Sequence, residues 1–547
     1  MKTSKMTGWM IIAIAISLIA GIIIGNFVSG RSFGRKLFLS PTNKINVILD
    51  IINQDYVDPV NMKEMTESAI RNIIGELDPH SNYIPESELQ DVNDDMDGHF
   101  GGIGVDFFLY KDTVVVMNLI HGGPSSQAGL LPGDRIVTVN QTPFTGQDIT
   151  EEKIIKVMRG PAGSSVSLGI RRNFSDSLLE YTIQRDAILT PSIGAAYEVE
   201  KGIGFIKIQD KFSHTTYDEF VQAMTQMVAQ GCQSFIIDLR SNSGGAYEAA
   251  IRIINEFLPA GRMIVYSEGK SFPRNESVSD GSGNLPDNPV IILIDQLSAS
   301  ASEIVAGAIQ DNDRGLIIGR RSYGKGLVQN QIDLSDGSAV RLTVARYYTP
   351  SGRNIQRKYE LGKSAAYNQE WMKQFNNGES FYPDSVKVDT IEAYKTLHGR
   401  TVYGSSGIMP DIFIPADTAY LSNYYIQLEN KQIFTQFAFE YSDRNRSVLS
   451  QFKDFTSMLD HLKTQIVLSD IVRYAEEQGV KKRTSQIRRS TNQILATTYA
   501  CIISNFFGNN AFYQVYLYRD PVIARAVQAI RNGEATPDAV AGMRYKP

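Results

Sequence analysis

In IDQLSASASEIVAGAIQDNDRGLIIGRRSYGKGLVQ (Ile294–Gln329), three serines, Ser298, Ser300 and Ser302, alternate with alanines just where the apolar run PVIILID stops. A serine hydroxyl attacks a carbonyl only when a neighbour takes its proton. None of the six histidines (His80, His99, His121, His214, His398, His461) falls in this stretch or shows metal-ligand spacing, and each reads as a surface or turn residue. The candidate base is then Lys325, between Gly324 and Gly326, which can serve only if burial penalises its ammonium form. Catalytic groups collect at the carboxyl ends of strands in α/β sheets. A small-residue turn built for close packing, and a lysine exposed on a β-turn, fit the same letters. By itself the stretch does not distinguish the three serines.

These residues must be carried by a large scaffold. At 547 residues, 42% hydrophobic and 21% charged, the chain is long enough for several domains, and no repeat or low-complexity tract interrupts it. A net charge of −5, without a concentrated basic patch, gives no basis for a nucleic-acid partner. Cys232 and Cys501 are far apart and suggest neither a disulfide framework nor a metal site; both read as buried small apolar residues, and no metal or organic cofactor is implied. From Met6 to Gly30 there is no charged residue, a length that can span a bilayer, so residues 1–30 are expected to act as an uncleaved membrane anchor, the alternative being a cleaved secretory signal. Helical spacing marks residues 31–97 as a small helical module.

Residues 98–186 alternate β-rich runs with Gly-Pro turns, and FGGIG, GGPSSQAGLLPGDRIVTVN and MRGPAGSSVSLGIRR together resemble a PDZ domain. In that reading Gly101, Gly102, Ile103 and Gly104 present converging backbone N–H groups to a peptide's terminal carboxylate while its chain adds as a strand. Residues 187–417 alternate strands and helices, an α/β layered core; residues 418–547 show helical spacing and form a C-terminal extension.

LDPHSNY, FGGIG, LLPGD, DLRSNSGG, SASASEIVAGAIQD, SYGKGLVQ, YYTPSGRNIQ and SGIMPDI, in that order, resemble the carboxyl-terminal processing, or tail-specific, serine proteases. The resemblance implies a crotonase-like layered α/β peptidase core joined to a PDZ domain, with Ser300 as nucleophile, Lys325 as general base and Gln329 orienting the lysine. The residues agree on Ser300: helical spacing starts at Ala301, so Ser300 sits at the strand-to-helix junction and the Ala301 amide is left unpaired. A second oxyanion donor is expected from Gly244 in the NSGG turn, where no side chain obstructs approach. Ser298, Ser302, Glu303, Asp238 and Arg240 read as structural. Relatives gate the site through the PDZ domain with an arginine that senses substrate, and Arg159 is the matching position.

The expectation is an exported, membrane-anchored endopeptidase that cuts proteins near a free apolar C-terminus. Its catalytic body would lie outside the cytoplasm, periplasmic in a Gram-negative cell. The C-terminal extension would serve oligomerisation, adaptor docking or substrate gating. The alternatives are a non-catalytic PDZ scaffold and an acyl-CoA enzyme of crotonase type.

Overall fold

The computed structural model describes residues 44–110, 112–120, 122–172, 177–382, 392–418 and 421–543, with Ser17 and Ser385. The expected anchor, apart from Ser17, and His121 lie outside the described residues. Among the described residues no helix is long and apolar enough to cross a membrane. The chain divides into two compact units, residues 1–72 and 73–547. The first contains the helix Lys44–Asp55 and the start of Met62–Gly75, both at the predicted spacing.

Within the second unit, the α/β pattern yields a six-stranded sheet in the order Ile193–Glu200, Ile203–Ile208, Ser234–Asp238, Val290–Ile294, Leu316–Gly319, Ile412–Phe413. The first pair is antiparallel and the rest are parallel. The strands SFIID and VIILI are buried at every position, and VIILI is apolar throughout, because both of their faces are covered. On one face, Ile237, Ile292 and Ile294 pack with the helices Thr216–Ala229, Tyr247–Asn255 and Ala301–Asp311. On the other, Phe205, Ile236, Leu293 and Ile318 pack with Val522, Ile523 and Ala526 of the helix Pro521–Arg531. In a second, antiparallel sheet Asn82–Ile84, Leu327–Asp333 and Met263–Glu268 pair with the long strand Ala339–Tyr348, and Asn275–Val278 pairs with Met263–Glu268.

Two expected boundaries move. The helical module was expected to run to residue 97, but the LDPHSNY turn ends in Asn82–Ile84, a strand of the second sheet, and the helix Glu86–Asp97 follows it. A three-residue strand carries no period that a sequence can display. The extension also divides: residues 423–516 enclose an apolar core of their own, with Tyr425, Leu428, Met458 and Ile503 buried, whereas Pro521–Arg531 covers the core sheet. Its long helix, Thr484–Tyr516, bends at Gly508, whose φ of 72° and ψ of −172° suit glycine alone.

Residues 105–184 form the predicted β-rich domain, with strand order Val105–Tyr110, Thr113–Leu119, Arg135–Val139, Ser165–Arg171, Leu179–Gln184 and the helix Glu151–Met158. A ladder between His99–Gly102 and Asp186–Leu189 joins it to the core. The extension reaches it too, since Phe439 meets Phe108 edge to face at 4.8 Å.

Candidate active site

Ser300 follows the strand Val290–Ile294 and precedes the helix Ala301–Asp311, with φ 54° and ψ −112°. An L residue holds such a conformation only where its surroundings impose it, at a cost of about 1–3 kcal/mol. The surroundings are identifiable. Ser298 Oγ donates to Leu239 O at 2.8 Å, and the Ala299 amide donates to Asn242 O at 3.0 Å. Ser302 Oγ donates to Asn242 Oδ1 at 2.8 Å. The outer serines thus tie the turn to DLRSNSGG, as expected, and the middle one lines the cleft.

Glu303 does more than pack. Its fully buried carboxylate accepts the amides of Ser300 (2.9 Å), Lys325 (2.8 Å) and Gly324 (2.7 Å) and the hydroxyl of Ser322 (2.5 Å). Burial pushes this carboxyl above its usual range, against the opposite pull of those hydrogen bonds. One side chain therefore fixes the backbone of both Ser300 and Lys325. A second does the same from Ala339–Tyr348: Tyr347 Oη lies 2.6 Å from Lys325 O and 3.1 Å from Ser300 O, so its single proton is shared between the two carbonyls.

Lys325 Nζ donates to Gln329 Oε1 at 2.9 Å, and Gln329 Nε2 donates to His80 O at 2.8 Å, which leaves the amide oxygen facing the amine. Burial depresses the Lys325 ammonium below the ordinary lysine value, and the Arg341 guanidinium depresses it further; Glu303 and Asp78 oppose them. Lys325, Gln329, Ser300, Ala301 and Gly244 line one cleft of about 930 Å³. Among the described residues no hydrogen bond joins Lys325 Nζ to Ser300 Oγ.

The Gly244 expectation needs correction. Its N–H donates to Asn242 Oδ1 at 2.9 Å, so it is committed inside its own turn. What the site needs from Gly244 is an absent Cβ, which would stand 2.6 Å from Ser300 Cβ and 2.9 Å from Ala301 N. Its φ of 95° also disfavours any other residue. Asp238 and Arg240 pair as expected, Arg240 Nη2 donating to Asp238 Oδ2 at 2.7 Å, and Arg240 also reaches Asp520.

The sequence reading missed three site neighbours. Asn242 and Tyr347 carry no chemistry of their own, although the density of DLRSNSGG and YYTPSGRNIQ was the available signal. His80 was read as a surface or turn residue, but it packs against Tyr367 and Tyr323, and burial lowers its pKa to about 4. Cys232 is buried as expected, whereas Cys501 is only half-buried. Among the described residues no cluster of three His, Cys, Asp or Glu is placed to hold a metal ion.

In the β-rich domain, Gly101 and Gly102 differ from expectation: both lie in the ladder, opposite Ala187 and Asp186. Gly101 is glycine because a Cβ there would come within 2.1 Å of Gly160 O. The loop proper is left to Ile103, which is buried, and Gly104, with φ 71°. Arg159 Nη1 donates to Asp91 Oδ1 at 2.8 Å, and its guanidinium covers the Phe100 ring at 4.3 Å.

Residues 202–362 match peptidase family S41, residues 101–183 the PDZ domain, and residues 424–508 a family of unknown function, DUF8443. The "Carboxy-terminal-processing protease" of Bartonella bacilliformis is 36% identical over 389 residues, covering 65% of this chain and 88% of that protein. A "Probable CtpA-like serine protease" of Staphylococcus aureus (strain MRSA252) is 30% identical over 357 residues, covering 65% of this chain and 70% of its own length. Among solved structures, the photosystem II D1 C-terminal processing protease is 24% identical and covers 69% of this chain and 87% of its own, with a TM-score of 0.35. A relative this similar, matched over most of its length, places the chain in peptidase family S41, as a serine peptidase that carries a PDZ domain.

Proposed function

We propose that the chain cuts proteins near a free, apolar C-terminus through a Ser300–Lys325 dyad. The observation that carries this reading is the double tie on two residues far apart in sequence: Glu303 and Tyr347 each bind the backbone of both Ser300 and Lys325. In the reaction Ser300 Oγ attacks the scissile carbonyl as neutral Lys325 takes its proton. Gln329 holds the amine on one side so that its lone pair stays available. The oxyanion is met by the Ala301 amide at the first position of its helix, where no intrahelical acceptor exists. Lys325 then returns the proton to the leaving amine, and water resolves the acyl-enzyme by the same steps in reverse.

Tail capture is assigned to the PDZ domain. Val105–Tyr110 is an edge strand of its sheet, and Val105, Phe107 and Leu109 share an apolar cluster with Ile154 and Met158. A peptide added along that edge would place apolar side chains there, with its carboxylate at the amides of Ile103 and Gly104. Arg159, bridging this domain to Asp91 on the helix Glu86–Asp97, is the residue through which occupancy would be sensed. Export, with Met6–Gly30 as a membrane anchor, belongs to the same proposal and rests on the uncharged segment alone.

The test uses the full chain and a protein ending in a free apolar tail, beside the same protein with an amidated tail. Ser300→Ala and Lys325→Ala are each expected to lower turnover at least a thousandfold while the folded state persists. Cutting that survives either substitution overturns the dyad, and equal cutting of the amidated protein overturns tail recognition. Fractionation of cells for the intact chain tests the anchor.

A further inference from the structure

Arg341 stands in the catalytic cleft without a counter-charge. It lies on Ala339–Tyr348, the strand that also supplies Tyr347, and it lines the same cleft as Ser300 and Lys325. The residue is partly buried. Among the described residues no carboxylate comes within ion-pair distance, and its one hydrogen bond runs from Nη2 to Gln331 Oε1 at 3.1 Å. A guanidinium has five N–H donors, so most of its capacity is unspent. Gln331 is itself held, its amide donating to Asn93 Oδ1 at 3.0 Å and to Asp333 Oδ1 at 3.1 Å, which pre-positions the arginine.

The other charges of the cleft do not neutralise it. Lys211 is paired with Asp95 at 2.5 Å, and Lys325 is a second cation. Asp97 lines the cleft, but no ion pair joins it to Arg341. A half-buried cation left unpaired loses hydration without compensation, and the compensating group that fits a planar fork is a carboxylate.

We infer that Arg341 is a specificity residue that binds an acidic side chain of the substrate close to the bond being cut. This rests on the peptidase reading above and adds to it a preference within the cleft, distinct from tail capture in the PDZ domain. No new covalent step is involved: Asp or Glu near the scissile bond forms a charge-assisted pair that a neutral residue cannot form and that a lysine opposes.

The experiment scans a single Asp, Ala or Lys through each position flanking the cut in one peptide series, made with free and with amidated tails, and measures kcat/KM with the full chain. At one position or more, Asp is expected to exceed Lys by about tenfold to a hundredfold in both tail forms, the worth of one partly desolvated charged pair. The Asp-to-Lys ratio should collapse towards one in Arg341→Gln, persist in Arg341→Lys and invert in Arg341→Glu. Because the readout is a ratio within each enzyme, a general loss of rate does not imitate it. Equal rates for Asp and Lys in the unmodified chain, or a ratio that survives Arg341→Gln, overturns the inference and leaves the peptidase standing. An Asp preference confined to free tails overturns it in favour of the terminal carboxylate. Failure to cut any peptide overturns the peptidase reading and this one together.

Discussion

An amine acts as a base only in the fraction of molecules where it carries no proton, so with Lys325 as the proposed base its environment sets the pH at which the site would work. Burial is the larger influence, and the positive charge of Arg341 adds to it; both disfavour the ammonium. The sign follows directly. Free base accumulates as pH rises through the depressed pKa, so kcat/KM climbs on an acidic limb and then levels. Replacing Arg341 by Gln removes a cation that helps to drive the proton off, so the limb is expected to move to higher pH, with the greatest loss of rate below the plateau. A kcat/KM profile against pH on a peptide with only neutral residues at the flanking positions isolates this effect from any substrate pairing. A limb that stays in place or moves to lower pH would show that Arg341 does not act on the base. Glu303 opposes Arg341 from the other side, yet its bonds to the backbone amides of Ser300 and Lys325 make its main contribution one of placement.

Placement belongs to elements, since the proposed nucleophile and base arrive on different ones: Ser300 at the start of the helix Ala301–Asp311, and Lys325 in the loop before Leu327–Asp333. The phenol of Tyr347, near the end of Ala339–Tyr348, spans them. Tyr347→Phe keeps the buried ring and removes only the donor, leaving two carbonyls without it. At about 1 kcal/mol per neutral hydrogen bond, kcat is expected to fall about fivefold to thirtyfold with KM nearly unchanged, because the tail is bound elsewhere. Unaltered kcat would show that Glu303 alone sets the spacing. Part of this site is legible in the sequence: SASASE and GKG hold the two proposed reacting groups, and the helix begins at Ala301, where the spacing predicts it. What was not legible is how backbone groups are satisfied. That Gly244 spends its N–H on Asn242, or that Gly101 lies in a ladder with the glycine's missing Cβ making room for Gly160 O, depends on approaches between segments that no local period records. The same holds for Asn82–Ile84, three residues whose strand exists only because Ala339–Tyr348 offers them partners.

At the scale of the molecule, one face of the sheet behind the site is covered by the helix Pro521–Arg531, which begins 221 positions after Ser300. Periodicity found the helices after Asp417 but could not say what they cover, and a single boundary there conceals two destinations. The helix Pro521–Arg531 begins at Asp520, whose carboxylate caps it through the amides of Val522 and Ile523 and also pairs with Arg240, next to the turn that holds Asn242 and Gly244. Ala526 in this helix is fully buried against Phe205, Ile236 and Leu293. Placing a carboxylate there, as in Ala526→Asp, buries a charge without a partner and is expected to cost about 3 kcal/mol or more. If the helix belonged to a separate extension, calorimetry would show the peptidase transition unmoved and only a minor unfolding event displaced. Because it forms one layer of the catalytic core, the transition that abolishes peptidase activity should itself fall by about 6–12 °C, with protease sensitivity appearing in the core strands at the same temperature. A core transition that keeps its midpoint in Ala526→Asp would mean that the sheet does not depend on its last helix.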